Sequence, residues 1–115
     1  MRKLLYFASN ACPPCVRIWR CVVETEILPY VEKEQVEYIV ADENRTLAKS
    51  YGIQYTPTII LIEDGKEYGR RVGDPRPRLH DIMMWLTEGK YDKDTSFPEP
   101  TERERTLSGS EDSAQ

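Results

Sequence analysis

Two cysteines separated by two prolines stand in the stretch SNACPPCVRIWRC, residues 9–21. Cysteines at this spacing bind a metal ion, form a structural disulfide, or exchange electrons as a dithiol–disulfide pair. Zinc needs four protein ligands. Besides Cys12 and Cys15 the chain offers only Cys21 and His80, and His80 is far from the cysteines in the sequence. We therefore expect no metal ion at this pair, and we expect His80 to lie on a helix surface.

The composition indicates one small soluble domain in a reducing compartment. The chain has 115 residues, of which 39% are hydrophobic and 31% charged. Apolar runs such as TIILI (58–62) fall far short of the roughly 20 residues that span a bilayer, and LLYFA (4–8) is too short for a secretory signal. We expect no membrane partner and a cytoplasmic location, where thiols stay reduced unless they are used. Three cysteines also argue against a framework of structural disulfides.

A change of composition divides the chain at about residue 90. Residues 1–89 alternate short apolar runs with helical patterns, and their charges nearly cancel. From Lys90 onward the chain is rich in serine, threonine, proline and acidic residues, and carries most of the net charge of −4. Its apolar surface is too small to offset an ordering entropy of roughly 1–2 kcal/mol per residue. We predict a folded domain over residues 1–89 and a disordered acidic tail over residues 90–115.

The cysteine pair falls between a predicted strand and a predicted helix. KLLYFA (3–8) has the pattern of a buried strand, and a helix should begin at Pro13, because proline is tolerated in the first helical turn. Pro29 should kink or end this helix. Residues that recur at helical spacing predict an inward stripe in which Cys21 is a small core residue; they are Ile18, Cys21, Val22, Thr25 and Leu28.

The remaining elements complete a mixed sheet with helices on both faces. They are a strand over VEYIVA (36–41), a helix over NRTLAKSY (44–51) with Asn44 as N-cap and Gly52 as its stop, a hairpin of TIILI (58–62) and EYGRRV (67–72), and a last helix from Pro75 or Arg78 to Thr87. The first two strands should be parallel and the hairpin antiparallel to its neighbours. The cysteine pair then lies at the carboxyl edge of the sheet, at a helix N-terminus.

This placement favours thiol–disulfide exchange. The free N–H groups and partial positive charge of a helix N-terminus stabilise a thiolate, and lower a cysteine pKa from about 8.5 to roughly 3.5–7.5 in such motifs. Cys12, just ahead of the helix, is the predicted nucleophile. Cys15 lies one turn further in, and is predicted to attack the mixed disulfide on Cys12 and release the reduced substrate.

Several stretches together resemble the thioredoxin family. They are YFASNACPPCVRI, VADENRTLAKSYGIQYTPTIILIEDGK and RRVGD, and the resemblance covers residues 3 to about 88. It implies an α/β thioredoxin-like fold in a minimal form, a four-stranded mixed sheet flanked by three helices, since the first strand starts at the N-terminus. It also implies that Pro57 is a cis-proline opposite the cysteines and that Thr56 offers its backbone to an extended substrate. Thr56 and Pro57 are therefore the expected substrate-binding residues.

The chain departs from the family pattern beside the cysteines. Ala11 and Tyr6 stand where thioredoxins typically carry a tryptophan and a buried aspartate. Without that carboxylate, proton transfer to and from Cys15 would use water, a tyrosine such as Tyr6, or another group. The single glycine of RVGD (71–74) also differs from the paired-glycine and acidic signature expected of a glutathione-binding glutaredoxin.

The resemblance implies a protein dithiol–disulfide oxidoreductase, with Cys12 and Cys15 as catalytic residues and no cofactor. Its expected partners are disulfide-containing client proteins and a recharging reductase similar to thioredoxin reductase, and we expect a monomer. Four arginines cluster in RRVGDPRPR (70–78), but interspersed acids and a near-zero charge over residues 1–89 argue against a nucleic-acid partner. Two alternatives stay open: a glutaredoxin-like activity, and a thioredoxin-fold binding module that binds a partner through the surface around Cys12, Thr56 and Pro57 and depends little on its cysteines.

Overall fold

The computed structural model describes residues 1–90, so the predicted tail over residues 90–115 lies outside the described residues except for Lys90. The domain boundary at residue 89 stays a prediction. The described chain contains four strands and three α-helices. They are β1 (Arg2–Ala8), α1 (Pro13–Ile18), β2 (Val36–Val40), α2 (Arg45–Ser50), β3 (Thr58–Glu63), β4 (Lys66–Val72) and α3 (Leu79–Glu88). Short 3-10 turns link several of these elements, and none of the helices within residues 1–90 is long and apolar enough to cross a membrane.

The four strands form one mixed sheet in the order β2-β1-β3-β4. Strand β1 runs parallel to β2 and antiparallel to β3, and β3 runs antiparallel to β4. The predicted four-stranded mixed sheet flanked by three helices is therefore confirmed. Every residue of β1 from Leu4 to Ala8 is buried, as expected of a central strand that is covered on both faces.

Alternate residues of β1 point into two separate core clusters, because side chains of a strand alternate between its faces. On one face Leu4, Tyr6 and Ala8 pack with buried residues of the first helical region and of α3, including Val23, Ile27, Ile82, Trp85 and Leu86. On the other face Leu5 and Phe7 pack with Ile39, Ile60 and, from α2, Ala48. The prediction of helices on both faces is confirmed.

The helix after the cysteines differs from the prediction. It is α-helical only to Ile18 and continues as a π-helix over Trp19–Ile27. A π-helix pairs residues five apart and so has wider turns than the 3.6-residue α-helix. Val23 and Ile27 become buried as a result, whereas Cys21 and Thr25 are exposed. The predicted inward stripe is therefore only partly right: Val22 is buried and Ile18 and Leu28 pack against the core, whereas the placement of Cys21 and Thr25 on the inward face is wrong.

Helix α2 ends as predicted but begins differently. Gly52 has a φ of 65°, its N–H donates to the Lys49 carbonyl at 3.0 Å, and the N–H of Ile53 donates to the Ala48 carbonyl at 3.0 Å. These two bonds form a Schellman motif, which favours glycine at this position. Asn44 does precede the helix, but its side chain donates to the Val40 carbonyl at 2.9 Å and does not cap it.

The C-terminal hairpin and helix agree with the predicted pattern. Asp64 and Gly65, with φ values of 52° and 80°, connect β3 and β4 in the manner of a tight hairpin turn. Helix α3 begins at Leu79, one residue beyond the later of the two predicted starts, and presents Ile82, Trp85 and Leu86 to the core. His80 is exposed on this helix, as predicted.

Candidate active site

The two cysteines of the CPPC stretch are joined by a disulfide at the carboxyl end of β1. Cys12 is the N-cap residue of α1 and Cys15 lies in its first turn, with their Cα atoms 5.4 Å apart. The N–H of Cys15 donates to the Cys12 carbonyl at 3.0 Å, which closes this turn. Both cysteines are buried, and Cys21 is left as an exposed free thiol.

Thr56, which precedes Pro57, lies directly against this disulfide. The peptide bond between them is cis, in agreement with the sequence expectation. The carbonyl oxygen of Thr56 lies 3.6 Å from the Sγ atom of Cys12. We treat this as a contact, because a sulfur in a disulfide has no proton to donate. The fold thus brings together all four residues expected at the site, although the two pairs are far apart in the sequence.

The segment after β4 supports the Thr56–Pro57 loop from behind. The N–H of Gly73 donates to the Pro57 carbonyl at 2.8 Å, and Thr58 pairs with Val72 at the start of the β3–β4 ladder. Gly73 is buried and has a φ of 88°, a conformation that glycine adopts without steric cost. The loop beside Cys12 is therefore held by backbone hydrogen bonds that continue the sheet.

Tyr6 lies beneath the cysteine turn, in the position where the family resemblance leads one to expect an aspartate. Its buried hydroxyl donates a hydrogen bond to the Cys15 carbonyl at 2.7 Å. Its ring contacts those of Trp19 and Tyr38 at centroid distances of 5.2 and 5.5 Å. Burial, with smaller effects from Tyr38 and Asp74, raises the pKa of Tyr6 far above its ordinary value. The phenol is therefore neutral at physiological pH.

Asp42 anchors the loop that leads into Cys12. Its Oδ2 atom accepts hydrogen bonds from the Ser9 hydroxyl at 3.0 Å and from the Asn10 N–H at 2.8 Å. Asp42 was not among the residues predicted for the site. A signal was present, since Asp42 follows β2 and the Ser9–Asn10 turn follows the parallel strand β1, and such chain segments meet at the same edge of a sheet.

A second acidic residue follows Gly73. Arg76 donates to the Asp74 carboxylate from its Nε at 2.8 Å, and the buried Arg71 donates to the Asp74 carbonyl at 3.1 Å. Burial tends to raise the pKa of Asp74, but the hydrogen bonds and charge of Arg76, together with the charge of Arg71, outweigh it and hold that pKa below its usual value. Asp74 is thus a carboxylate one residue from the Gly73 that supports Pro57.

Metal coordination is not suggested by the side chains around the disulfide. Within residues 1–90, no group of three or more histidine, cysteine, aspartate or glutamate residues is arranged to hold a metal ion. The arrangement instead offers a sulfur pair at a helix start, with the Thr56 carbonyl against the Cys12 sulfur and the Tyr6 phenol bonded to the backbone carbonyl of Cys15.

Comparison with known proteins relates this arrangement to one family. The protein-family model described as a thioredoxin-like domain matches residues 1–83 of this chain. Thioredoxin 1 of Synechococcus elongatus is 33% identical over 70 residues, which are 61% of this chain and 64% of that protein. A thioredoxin of Staphylococcus aureus is 29% identical over 82 residues, covering 70% of this chain and 78% of that protein. The chain thus spans less than two thirds of the length of the cyanobacterial relative.

Solved structures show the same architecture. A mutant thioredoxin from Halobacterium salinarum NRC-1 superposes with a TM-score of 0.62 at 32% sequence identity. The superposition covers 76% of this chain and 75% of that one. The similarity in architecture therefore extends over most of this chain.

Proposed function

The chain belongs to the thioredoxin-like family, and on this basis we propose that it is a protein dithiol–disulfide oxidoreductase that reduces disulfides of client proteins. The observation that carries the proposal is the Cys12–Cys15 disulfide at the start of α1, with the Thr56 carbonyl against Cys12. A buried sulfur pair at a helix start has the features of a redox-active dithiol, because unpaired helical N–H groups stabilise a thiolate there.

In the proposed reaction Cys12 is the nucleophile and Cys15 the resolving residue. The Cys12 thiolate of the reduced protein attacks one sulfur of a client disulfide, and the other client sulfur leaves as a thiolate. Cys15, as a thiolate, then attacks the Cys12 sulfur of the mixed disulfide and displaces the second client sulfur. The client gains two electrons and two protons, and the protein is left with the Cys12–Cys15 disulfide seen here.

We assign client binding to Thr56 and Pro57. Their loop lies beside the Cys12 sulfur and is attached to the sheet through the Gly73–Pro57 hydrogen bond. An extended client segment laid along this loop would bring its own sulfur close to Cys12. Backbone pairing of this kind accepts many sequences, because it uses groups that every peptide has.

The wider cycle follows from the same chemistry. A reductase similar to thioredoxin reductase would return the disulfide to the dithiol form, and a protein disulfide would be the electron acceptor. We place this cycle in the cytoplasm, where the reducing environment keeps the dithiol form of the protein available. The protein would act there as a monomer, in electron transport and cell redox homeostasis, without a cofactor or a nucleic-acid partner.

Insulin reduction tests the proposal. Reduced insulin chains aggregate, so the wild-type protein should shorten the lag before turbidity appears in the presence of dithiothreitol. Cys12→Ser should give the same lag as dithiothreitol alone. Wild-type protein that leaves the lag unchanged would contradict the proposal. Reduction of a glutathione mixed disulfide but not of insulin would indicate the glutaredoxin-like alternative. Full function of Cys12→Ser in cells would indicate a binding module.

A further inference from the structure

Tyr6 connects the central strand of the sheet to the turn that holds the resolving cysteine. It is a buried residue of β1, and its hydroxyl donates to the carbonyl oxygen of Cys15 at 2.7 Å. The same oxygen also accepts the N–H of Trp19, and the N–H of Cys15 is bonded to the Cys12 carbonyl. The backbone of Cys15 is thus fixed on both sides of its Cα, which sets the direction of its Cα–Cβ bond.

The ring of Tyr6 has little room to move. It contacts the rings of Trp19 and Tyr38, and these two rings meet edge to face with centroids 4.8 Å apart. Aromatic contacts of this kind favour particular ring orientations. The hydroxyl is therefore presented to the Cys15 carbonyl from a fixed position.

We propose that Tyr6 is a positioning residue for the resolving step of disulfide exchange, which it supports by holding Cys15 in line with the sulfur of Cys12. This inference depends on the proposed oxidoreductase function. In the step concerned, the Cys15 thiol has lost its proton to water, and its thiolate attacks Cys12 Sγ in the mixed disulfide. The Cys12–Cys15 bond forms, the bond from Cys12 to the client breaks, and the client thiolate takes a proton from water.

Tyr6 keeps its own proton throughout this step. Its O–H already donates to the Cys15 carbonyl, so the proton points away from a sulfur acceptor. Burial raises the pKa of Tyr6, and the titratable neighbours Tyr38 on β2 and Asp74 after β4 act in the same direction. A phenol that stays protonated orients the turn but does not relay the Cys15 proton. Of the routes left open by the missing aspartate, the structure therefore favours proton transfer to water.

The two steps of exchange are separable with an aromatic disulfide, dithiobis-nitrobenzoate, which releases a coloured thiolate at each step. The first release reports attack by Cys12, and the second reports resolution by Cys15. Cys21→Ser should be the background, because Cys21 is an exposed thiol that would also react. In this background Tyr6→Phe should leave the first rate within about twofold and slow the second about fivefold, the size expected for one hydrogen bond.

Tyr38→Phe is the matched control, since Tyr38 belongs to the same aromatic cluster but does not bond to Cys15. It should leave both rates unchanged. Equal slowing of both steps in Tyr6→Phe, or an unchanged second step, would overturn the inference. We expect Tyr6→Phe to be stable enough to assay, because phenylalanine fills nearly the same volume as tyrosine. Thermal unfolding of both variants checks this point.

The pH dependence of the second release distinguishes positioning from proton relay. If Tyr6 only positions Cys15, the second rate should rise with pH around the same midpoint in the wild-type and Tyr6→Phe backgrounds. A shifted midpoint in Tyr6→Phe would show that the phenol carries the proton, and would overturn the inference. Failure of the proposed function looks different, because the protein with Tyr6 intact would then leave the insulin lag unchanged while both releases stay measurable.

Discussion

The Sγ atom of Cys12 lies 3.6 Å from the carbonyl oxygen of Thr56, a residue 44 positions further along the chain. This contact joins the start of α1 to the loop that precedes β3. The loop is in turn bonded to the segment after β4 through Gly73 and Pro57. Three separate parts of the sequence therefore meet at the sulfur pair, and each can be tested by a substitution that leaves the others intact.

The roles of the two cysteines predict opposite trapping behaviour. Cys15→Ser keeps the nucleophile but removes the resolving thiol, so mixed disulfides with clients should accumulate and disappear on addition of reductant. Cys12→Ser should show neither turnover nor trapping. Non-reducing gels of cell extracts that contain each variant would show the difference. Trapping by Cys12→Ser that matches Cys15→Ser would contradict the assignment.

The exposure of Cys21 predicts selective labelling. Iodoacetamide added to the native, oxidised protein should modify Cys21 and leave Cys12 and Cys15 unmodified in their disulfide. Mass spectrometry of the intact chain should find one adduct, and peptide mapping should place it on Cys21. An unlabelled native protein would mean that Cys21 is buried. Adducts on Cys12 would mean that the disulfide does not involve it.

Gly73→Ala should affect both stability and exchange. Gly73 has a φ of 88°, so a side chain there is strained by about 1–2 kcal/mol, and its N–H supports the Pro57 carbonyl beside Cys12. We expect a lower free energy of unfolding and slower insulin reduction.

Gly52→Ala is the control for Gly73→Ala. Gly52 also has a positive φ, of 65°, but it ends α2, and a Cβ placed there would meet no atom of the described residues within 4 Å. It should lose a similar amount of stability in urea unfolding while the rate of insulin reduction by the folded protein stays unchanged. Equal rates for both variants would show that Gly73 does not support the site.

Asp42→Ala should loosen the loop that leads into Cys12. The substitution removes the acceptor for the Ser9 hydroxyl and the Asn10 N–H, and one or two hydrogen bonds of this kind contribute about 1 kcal/mol. For a domain of this size that loss corresponds to roughly 4–8 °C in the melting temperature. Glu43→Ala removes the same charge but only a 3.4 Å contact with Asn10, and should change the melting temperature less. The reverse order would refute the anchoring role of Asp42.

Asp74→Asn should lower stability in a pH-dependent way. Burial tends to raise the pKa of Asp74, but the hydrogen bonds and charge of Arg76, with the charge of Arg71, outweigh it and hold that pKa below its ordinary value of 3.8. A carboxyl group with a depressed pKa contributes stability that is present above 3.8 and is lost as the pH falls through the folded value. The wild-type and variant unfolding curves should therefore differ at neutral pH and converge in acid. A constant difference at every pH would contradict ionisation as the cause.

The element order and the candidate residues of the site were predictable from the sequence. The buried run LLYFA (4–8) and the apolar run TIILI (58–62) could only become inner strands, and the fold confirms both. The CPPC pair was recognisable because thiol–disulfide exchange suits two cysteines at a strand–helix junction, whereas Thr56 and Pro57 were expected only through the resemblance to the thioredoxin family. Local patterns were sufficient for the strands and turns, since burial and turn chemistry leave a direct trace in residue type.

How the site is supported became visible only in the folded chain. The π-helix over Trp19–Ile27 leaves Cys21 exposed and Val23 buried, which the 3.6-residue period read from the sequence did not predict. The partner of the Tyr6 hydroxyl, the Cys15 carbonyl, and the Asp42 bonds to the Ser9–Asn10 turn were not predicted from the sequence. Such contacts depend on the distances between the ends of several elements. Residue periodicity within one element carries no information about those distances.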